Sequence, residues 1–280
     1  MEISSSNLTL RLSLLEIAAL RPHEEVIEEV VAKLAREIRN DGLVRDPLIV
    51  DQESHVILDG MHRFNSLKRL GLRFAPCCLL DYMSPRIQVG SWFRAFTVDD
   101  AKLDAERSLS QLKLDYSLTQ LTGSGEQDGD AIILTGDKTG FTLRTPMDTL
   151  ERCRAATSIE KQMVKGGRRV AYLPEAIALQ WLYSNRADFV ITLPAFTKDA
   201  IRKFGLEGVL LPHKVTRHVI PSRPMGIDVP LNLLSDPEIS SSEANEKLGK
   251  LLAERKVDRK PPGSVIEGRH YDEELLVFSN

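Results

Sequence analysis

The alternation of apolar and polar residues predicts a chain of mixed helices and strands. Ile27, Val31 and Ile38 recur on one helical face, and Gly42 follows where that pattern stops. Short apolar runs bounded by Gly, Pro and acidic residues predict strands at residues 47–50, 55–58, 75–80, 87–96, 131–134, 141–143, 169–172, 189–193 and 275–278. Further helices are predicted at residues 64–70, 99–121, 146–164, from 174, at 197–205 and at 243–254. This alternation predicts the α/β class, in a mixed α+β arrangement.

The stretch at residues 56–63, Val-Ile-Leu-Asp-Gly-Met-His-Arg, joins a predicted buried strand to a predicted helix. Backbone N–H groups and the positive end of the helix dipole meet at such a junction, which favours an anion such as phosphate. Gly60 would let the backbone approach that anion, and Arg63 would add charge-assisted hydrogen bonds. The alternative is that Asp59 caps the helix and Arg63 is solvated. The residues alone leave both interpretations open.

A second polar stretch, Pro-His-Lys-Val-Thr-Arg-His at residues 212–218, combines two cations, a hydroxyl and two imidazoles. Such a set is typical of an anion receptor, but a solvated basic loop explains it equally well. Trp92 has the same ambiguity, because a tryptophan belongs either to the core or to the wall of a substrate pocket. His23 and Glu24 lie at or just before the first predicted helix, where acids ordinarily complement the dipole.

Two glycine-containing segments of the chain predict connections. Residues 122–129 predict a loop rich in glycine and acid, and residues 136–140 predict a hairpin turn. The second segment lacks the G-x-x-x-x-G-K-[ST] spacing of a phosphate loop.

Composition narrows the class of protein. The chain has 280 residues, 42% hydrophobic and 28% charged, with a net charge of −3. Such a length allows one or two domains, and the balance of charge gives no global attraction for nucleic acid. No apolar run is long enough for a membrane span, and no secretory signal is visible. Three cysteines without a C-x-x-C pair favour a reducing, cytoplasmic compartment and disfavour structural zinc.

In order and spacing, four elements of the chain resemble the free serine kinases of the ParB/sulfiredoxin-fold superfamily. They are Arg-Pro-His-Glu at residues 21–24, Leu-Asp-Gly-Met-His-Arg at 58–63, Asp-Tyr at 81–82 with Trp92 beyond, and Lys-Val-Thr-Arg-His-Val at 214–219. The combination is much more specific than the Asp-Gly-x-His-Arg element alone. It implies phosphorylation of the hydroxyl of free L-serine to O-phospho-L-serine, with ADP or ATP as phosphoryl donor and Mg²⁺ as cofactor.

The resemblance also implies residue roles. Glu24 would be the general base, and Asp59 would be a second essential carboxylate at the reaction centre. The residues implied for the nucleotide are Gly60, Met61, His62 and Arg63. The residues implied for the amino acid are His23, Trp92, Lys214, Thr216, Arg217 and His218. Met61 stands where members of the family often carry histidine, and a thioether donates no strong hydrogen bond, so the donor stays open between ADP and ATP.

The resemblance further implies a domain division. Residues 1–98 would form a ParB/sulfiredoxin-like nucleotide-binding domain and residues 99–224 an α/β substrate domain, whose residues 214–218 return to the active site. Residues 225–280 extend past the resemblance, and their apolar run at residues 275–278 predicts a C-terminal extension that packs back on the body. The expected partners are serine and a nucleotide, without nucleic acid or membrane, in a monomer or homodimer.

Other functions within the superfamily are weighed against the kinase. A ParB-like nucleotide-dependent DNA-binding protein is the main alternative, but the acidic balance and the lack of a recognisable helix-turn-helix disfavour it. A sulfiredoxin-type reductase needs a thiolate in the phosphate-binding turn, where this chain has Met61. A binding module that senses an amino acid or nucleotide would not need both carboxylates.

Overall fold

The computed structural model describes residues 1–5, 8–120, 131–266 and 268–279. The glycine-rich loop predicted at residues 122–129 lies outside these ranges. The chain folds into two compact units. The first unit comprises Met1–Gln88, Thr197–Leu210 and His218–Asn280, and the second comprises Val89–Phe196 and Leu211–Arg217.

The helices largely follow the predicted pattern, and a short 3-10 turn covers Ile17–Ala19. They are α1 (Glu28–Asp41), α2 (Met61–Arg69), α3 (Ala101–Gln111), α4 (Thr149–Lys165), α5 (Glu175–Tyr183), α6 (Lys198–Glu207), α7 (Leu231–Ser235) and α8 (Ser241–Ala253).

The strands fall into sheets within each unit. They are β1 (Glu2–Ser5), β2 (Leu8–Glu16), β3 (Leu43–Val44), β4 (Leu48–Asp51), β5 (Ile57–Asp59), β6 (Phe74–Leu80), β7 (Gln88–Phe96), β8 (Tyr116–Gln120), β9 (Ala131–Thr135), β10 (Thr139–Leu143), β11 (Ala171–Pro174), β12 (Phe189–Ile191), β13 (Thr216–Val219), β14 (Ser222–Met225), β15 (Val229–Pro230), β16 (Lys256–Lys260), β17 (Val265–Ile266), β18 (Arg269–His270) and β19 (Glu274–Ser279). The mixed α/β fold predicted from the sequence is confirmed.

The central sheet of the first unit has the order β1-β2-β6-β4-β5. Strand β6 is buried at every residue, which explains its apolar sequence and places Cys77 and Cys78 in the core. Helix α1 packs on α2 and buries Val31 and Ile38, as its periodicity predicts. Gly42 ends α1 in a left-handed conformation, at φ 72°. The core therefore supports the strand-to-helix junction between β5 and α2.

A second sheet of the first unit, β14-β19-β16, is formed by the last part of the chain. Strand β19 runs parallel to β14 and antiparallel to β16. Leu275, Leu276 and Phe278 are at most 3% exposed, which fits the apolar run predicted to pack as a strand. Helix α8 packs against β2. The C-terminal residues are therefore an integral part of the first unit.

The sheet of the second unit follows the order β11-β7-β12-β9-β10-β8. Strands β9 and β10 form the predicted hairpin across residues 136–138. Helix α4 begins with a capping box, in which Asp148 and Glu151 satisfy each other's backbone N–H groups. Buried aromatic residues Phe96 and Phe189 meet edge to face, with ring centroids 5.7 Å apart.

Three sequence predictions differ from the structure. The helix predicted at residues 99–121 ends at Gln111, and β8 follows because it pairs with β10, a partner that local periodicity does not reveal. Thr197 caps α6 as predicted, but the helix passes through Gly205 and ends at Glu207. The basic stretch at residues 212–218 is not only a loop, since β13 begins at Thr216.

The compact units also divide the chain elsewhere than the predicted domains do. The first segment of the first unit ends at Gln88 rather than at residue 98. The same unit also includes Thr197–Leu210 and His218–Asn280. The physical reason is that α6 and the C-terminal strands bury their apolar side chains in the first unit. Among the helices of the described ranges, none combines the length and apolar character of a membrane span.

Candidate functional site

The junction predicted to hold phosphate is present in the first unit. Strand β5 ends at Asp59, Gly60 has a φ of 99°, and α2 begins at Met61. Asp59 does not cap the helix, because Gly60 occupies the N-cap and no described side chain accepts a capping hydrogen bond there. The first N–H groups of α2 thus form the donor set that suits an anion.

Gly60 is required by the backbone itself. A Cβ atom there would lie 2.8 Å from Leu48 Cδ2 and 3.1 Å from Arg63 Nη1. The left-handed φ adds strain for any L side chain. The glycine is therefore explained by the fold, and its conformation also leaves the approach to α2 open.

The three residues after Gly60 serve the fold in different ways. Met61 is 7% exposed and packs in the core. His62 Nε2 accepts a hydrogen bond from the backbone N–H of Ile27 at 3.1 Å, which ties the start of α2 to the start of α1. Arg63 Nη1 donates to the Pro47 carbonyl at 2.8 Å. Side-chain contact with a nucleotide stays a prediction for His62 and Arg63, while Met61 can contribute through its backbone.

The segment that carries Glu24 runs beside β5. Arg21 pairs with Val56 in a parallel bridge, and the Arg21 carbonyl accepts from the Ile57 N–H at 2.9 Å. His23 Nδ1 lies 2.7 Å from the Ile57 carbonyl, and the ring is 1% exposed. Burial lowers the pKa of His23, while the negative charge of Glu24 acts to raise it.

Glu24 is only partly buried and lies four residues before the first helical residue of α1. Glu24 therefore lies about one helical turn before α1 begins, slightly further from the helix than the sequence predicts. Its neighbour His23 faces the core, whereas Glu24 keeps exposed surface. This geometry fits a reactive role for Glu24 better than for His23.

His218 lies in the first unit between Tyr82 and the backbone of β5. Its Nε2 atom is 2.8 Å from the Tyr82 hydroxyl, and its ring meets that of His23 edge to face at 5.5 Å. Burial, together with the proximity of His23, lowers the pKa of His218 to about 3. A hydrogen bond to the Leu58 carbonyl acts in the opposite direction but does not outweigh them. The neutral ring therefore donates from Nδ1 to Leu58 and accepts from Tyr82, whose own pKa is raised by burial.

Sequence reasoning missed Arg223, which contacts Asp59 in the first unit. Arg223 Nη1 lies 2.6 Å from Asp59 Oδ2, and Arg223 Nε lies 2.7 Å from Glu273 Oε1. Burial acts to lower the pKa of Arg223, but the two carboxylates outweigh it and raise the pKa above the ordinary value. The sequence around Arg223 shows only a cation in the apolar stretch after Val219. Its partners Asp59 and Glu273 are remote in sequence, so no local pattern predicts the contact.

A separate cluster in the second unit contains the predicted tryptophan and two cations. Lys214 Nζ lies 4.9 Å and Arg217 Cζ lies 5.4 Å from the centre of the Trp92 ring. Arg94, which is fully buried, donates to the backbone carbonyls of Trp92 at 2.8 Å and of His213 at 3.1 Å. Two cations held on one indole form a rigid positive surface that suits a carboxylate or phosphate.

Arg94 itself was not predicted. It pairs with Glu160 at 2.8 Å, and Tyr172 donates to the same carboxylate at 2.5 Å. Thr216 is 7% exposed and adds little surface to the cluster. The cluster of Trp92, Lys214 and Arg217 is thus set on a buried support that the sequence motif does not contain.

The first unit offers carboxylates to a metal but no complete metal site. Within the described ranges, no three His, Cys, Asp or Glu residues come together to hold an ion. Mg²⁺ usually keeps several waters and binds through one or two carboxylates and the phosphates of its substrate. The Asp59 side chain is 43% exposed beside the junction predicted to bind phosphate, so this carboxylate fits a nucleotide-bound Mg²⁺.

The chain is similar to proteins of known activity over most of its length, although no family model matches it. The ADP-dependent L-serine kinase SerK of Thermococcus kodakarensis is 25% identical over 229 residues, which cover 79% of this chain and 91% of the relative. An ATP-dependent L-serine kinase of Desulfurococcus mucosus is 26% identical over 240 residues, covering 79% and 90%.

A solved structure, a free serine kinase in complex with AMP, has the same fold. Its TM-score to this chain is 0.68 at 26% identity, and the match covers 80% of this chain and 93% of that one.

Proposed function

We propose, from the similarity of this chain to L-serine kinases in sequence and in fold, that it phosphorylates the hydroxyl of free L-serine with ADP or ATP as donor. The observation that carries the proposal lies in the first unit. The hydrogen bond from His23 to Ile57 fixes the Glu24 segment along β5, whose last residue is Asp59. The two predicted carboxylates thus belong to neighbouring segments of the first unit, Glu24 to the segment bridged to Val56 and Asp59 to the end of β5. The DNA-binding alternative is not adopted, because the two relatives and the solved structure compared above are all named as serine kinases.

In the proposed reaction, the serine hydroxyl oxygen forms a bond to the terminal phosphorus of the nucleotide. The bond between that phosphorus and its bridging oxygen breaks, and AMP or ADP leaves. Glu24 accepts the hydroxyl proton, as a general base at a partly exposed position. Phosphoryl transfer depends mainly on positioning and charge neutralisation, which the carboxylates and donors of this unit supply.

The proposed nucleotide contacts are the N–H groups that open α2, at Gly60, Met61 and His62, with Arg63 adjacent. The dipole of α2 adds a favourable field for phosphate. A bound Mg²⁺ neutralises phosphate charge, and Asp59 is the residue best placed to hold it. A cytoplasmic location, a monomeric or homodimeric state and the absence of a nucleic-acid partner stay predictions.

We assign the serine carboxylate to the cluster of Trp92, Lys214 and Arg217 in the second unit, where Thr216 is their neighbour in sequence. Substrate contact by His23 and His218, in the first unit, stays a prediction. His218 supplies a neutral ring, so Lys214 and Arg217 carry the positive charge. Arg217→Ala should raise the serine KM by roughly 10- to 150-fold, the equivalent of about 1.5–3 kcal/mol for a charge-assisted hydrogen bond. Arg154→Ala, on the exposed surface of α4, is the matched control. Serinamide lacks the carboxylate. If the protein phosphorylates serinamide as well as it phosphorylates serine, this assignment is wrong.

The test of the proposed function is ³¹P NMR of the purified protein with L-serine, Mg²⁺ and either ADP or ATP. We expect an O-phosphoserine resonance to grow with one donor or both, in step with AMP from ADP or ADP from ATP. The serine kinase activity is rejected if no O-phosphoserine forms with either donor and the nucleotide loses its terminal phosphate at the same rate with and without serine.

A further inference from the structure

The contact between Arg223 and Asp59 is built from groups that are largely shielded from water. The Arg223 side chain is 15% exposed and that of Glu273 is 18% exposed, whereas that of Asp59 is 43% exposed. The guanidinium uses Nη1 for Asp59 and Nε for Glu273. A buried planar cation with two carboxylate partners holds both more firmly than an exposed ion pair does.

Arg223 is in turn fixed by the C-terminal strand β19. Strand β14 pairs in parallel with β19, so Arg223 lies opposite Leu275 and Ser222 lies opposite Glu274. The fully buried Ser222 donates its hydroxyl to Glu274 Oε2 at 3.0 Å. Glu273 and Glu274, at the start of β19, therefore bind Arg223 and Ser222, two consecutive residues of β14.

Asp59 lies at the turn between β5 and α2, where the direction of its carboxylate depends on what its side chain contacts. It is the last residue of β5, it is followed by the left-handed Gly60, and it does not cap α2. The bond from Arg223 fixes Oδ2 of the carboxylate. A displacement of about 1 Å in a catalytic group is enough to lower a rate by about 10²-fold.

We propose that Arg223 is a positioning residue that holds Asp59 in its working orientation, and that the β14-β19-β16 sheet holds Arg223 in place. The inference rests on the proposed function and extends it. It assigns a role to residues beyond 224, which follow the last of the four elements that resemble the kinases. Arg223 does not contact the substrate in this assignment, and it acts through Asp59.

The test is a double-mutant cycle on the kcat for O-phosphoserine formation. Arg223→Met should lower kcat by about 10²-fold, with the KM values for serine and nucleotide within a few-fold of wild type. The double variant Arg223→Met/Asp59→Asn should be no slower than Asp59→Asn alone, because Arg223 acts through that carboxylate. Arg259→Ala breaks the pair with Glu274 in the same sheet and is the control that should keep kcat.

Two milder variants cover the case in which Arg223→Met does not fold. Glu273→Gln weakens the contact between residue 273 and Arg223 and leaves Arg223 in contact with Asp59. Arg223→Lys keeps the positive charge but lacks the planar guanidinium that reaches both carboxylates. Both should lower kcat with little change in KM, and circular dichroism should show wild-type unfolding. Wild-type kcat in both variants, or losses that multiply in the double variant, would overturn the inference. A wild-type protein that forms no O-phosphoserine would instead contradict the proposed function, and the inference would fall with it.

Discussion

His218 is engaged on both ring nitrogens, by the Leu58 carbonyl and by the Tyr82 hydroxyl. Its neighbour His23 is buried and bound to the Ile57 carbonyl. These two histidines hold backbone and side chains in place as neutral groups, while Glu24 and Asp59 keep exposed surface. At the scale of single residues, the site therefore separates structural imidazoles from the carboxylates that we propose for catalysis.

The neutral state of His218 predicts a pH dependence of stability. Its folded-state pKa is about 3, and its ordinary value is 6.5, so the unfolded chain binds more protons between these values. Stability should be complete above pH 6.5 and should fall as the pH drops below it, by up to about 1.4 kcal/mol per pH unit.

Urea unfolding at pH 7, 6 and 5 measures this slope. His218→Gln should unfold with a shallower slope than wild type, because glutamine does not titrate, while the lowered pKa of His23 keeps part of the dependence. Equal slopes in the two proteins would contradict the neutral assignment of His218.

Most elements could be predicted because their signals are local. The face of α1, the cap at Thr197 and the turn at Gly60 each follow from neighbouring residues. Strand β8 could not, because it exists through pairing with β10. At the site, the Asp-Gly-x-His-Arg element marked Asp59, but no local pattern marked Arg223, whose partner Glu273 lies fifty residues further along the chain.

Helix α6 supports the strand that leads to Asp59 through a close contact at Gly205. A Cβ atom there would lie 2.6 Å from Val56 Cγ2. Gly205→Ala should therefore lower the free energy of unfolding by about 1–3 kcal/mol through overpacking, although alanine is the better helix former.

Gly249→Ala in α8 is the matched control, since a Cβ atom there meets no atom within 4 Å. It should raise the free energy of unfolding by about 0.5–1 kcal/mol. Urea denaturation measures both variants, and a stabilised Gly205→Ala protein would show that α6 does not pack against Val56 this tightly.

The molecule as a whole consists of two compact units, and the first is assembled from three separate segments of the chain. The sequence predicted that the last segment packs back on the body, but not that it completes a sheet around Arg223. Its apolar residues are core residues of the first unit. Five large apolar residues among those that are at most 3% exposed are Leu248, Leu252, Leu275, Leu276 and Phe278.

A chain that ends after Met225 should therefore fail to fold cooperatively. Burial of one large apolar side chain is worth about 1.5–3 kcal/mol, and five of them approach or exceed the whole stability of a typical protein, about 5–15 kcal/mol. Thermal unfolding followed by circular dichroism tests this. A truncated chain with the wild-type Tm would contradict the assignment of Leu248, Leu252, Leu275, Leu276 and Phe278 to the core.

The most direct measurement of the central claim is the turnover of L-serine to O-phosphoserine by wild type, Glu24→Gln and Glu25→Gln, prepared and assayed side by side. Glutamine keeps the size of Glu24 but cannot accept the hydroxyl proton. The adjacent Glu25 is exposed and serves as the matched control.

The account predicts that wild type forms O-phosphoserine and that Glu24→Gln lowers kcat by about 10² to 10⁴-fold, the usual worth of a positioned general base. The KM values for serine and nucleotide should stay within a few-fold, and Glu25→Gln should match wild type. A Glu24→Gln protein with the wild-type kcat would contradict the account.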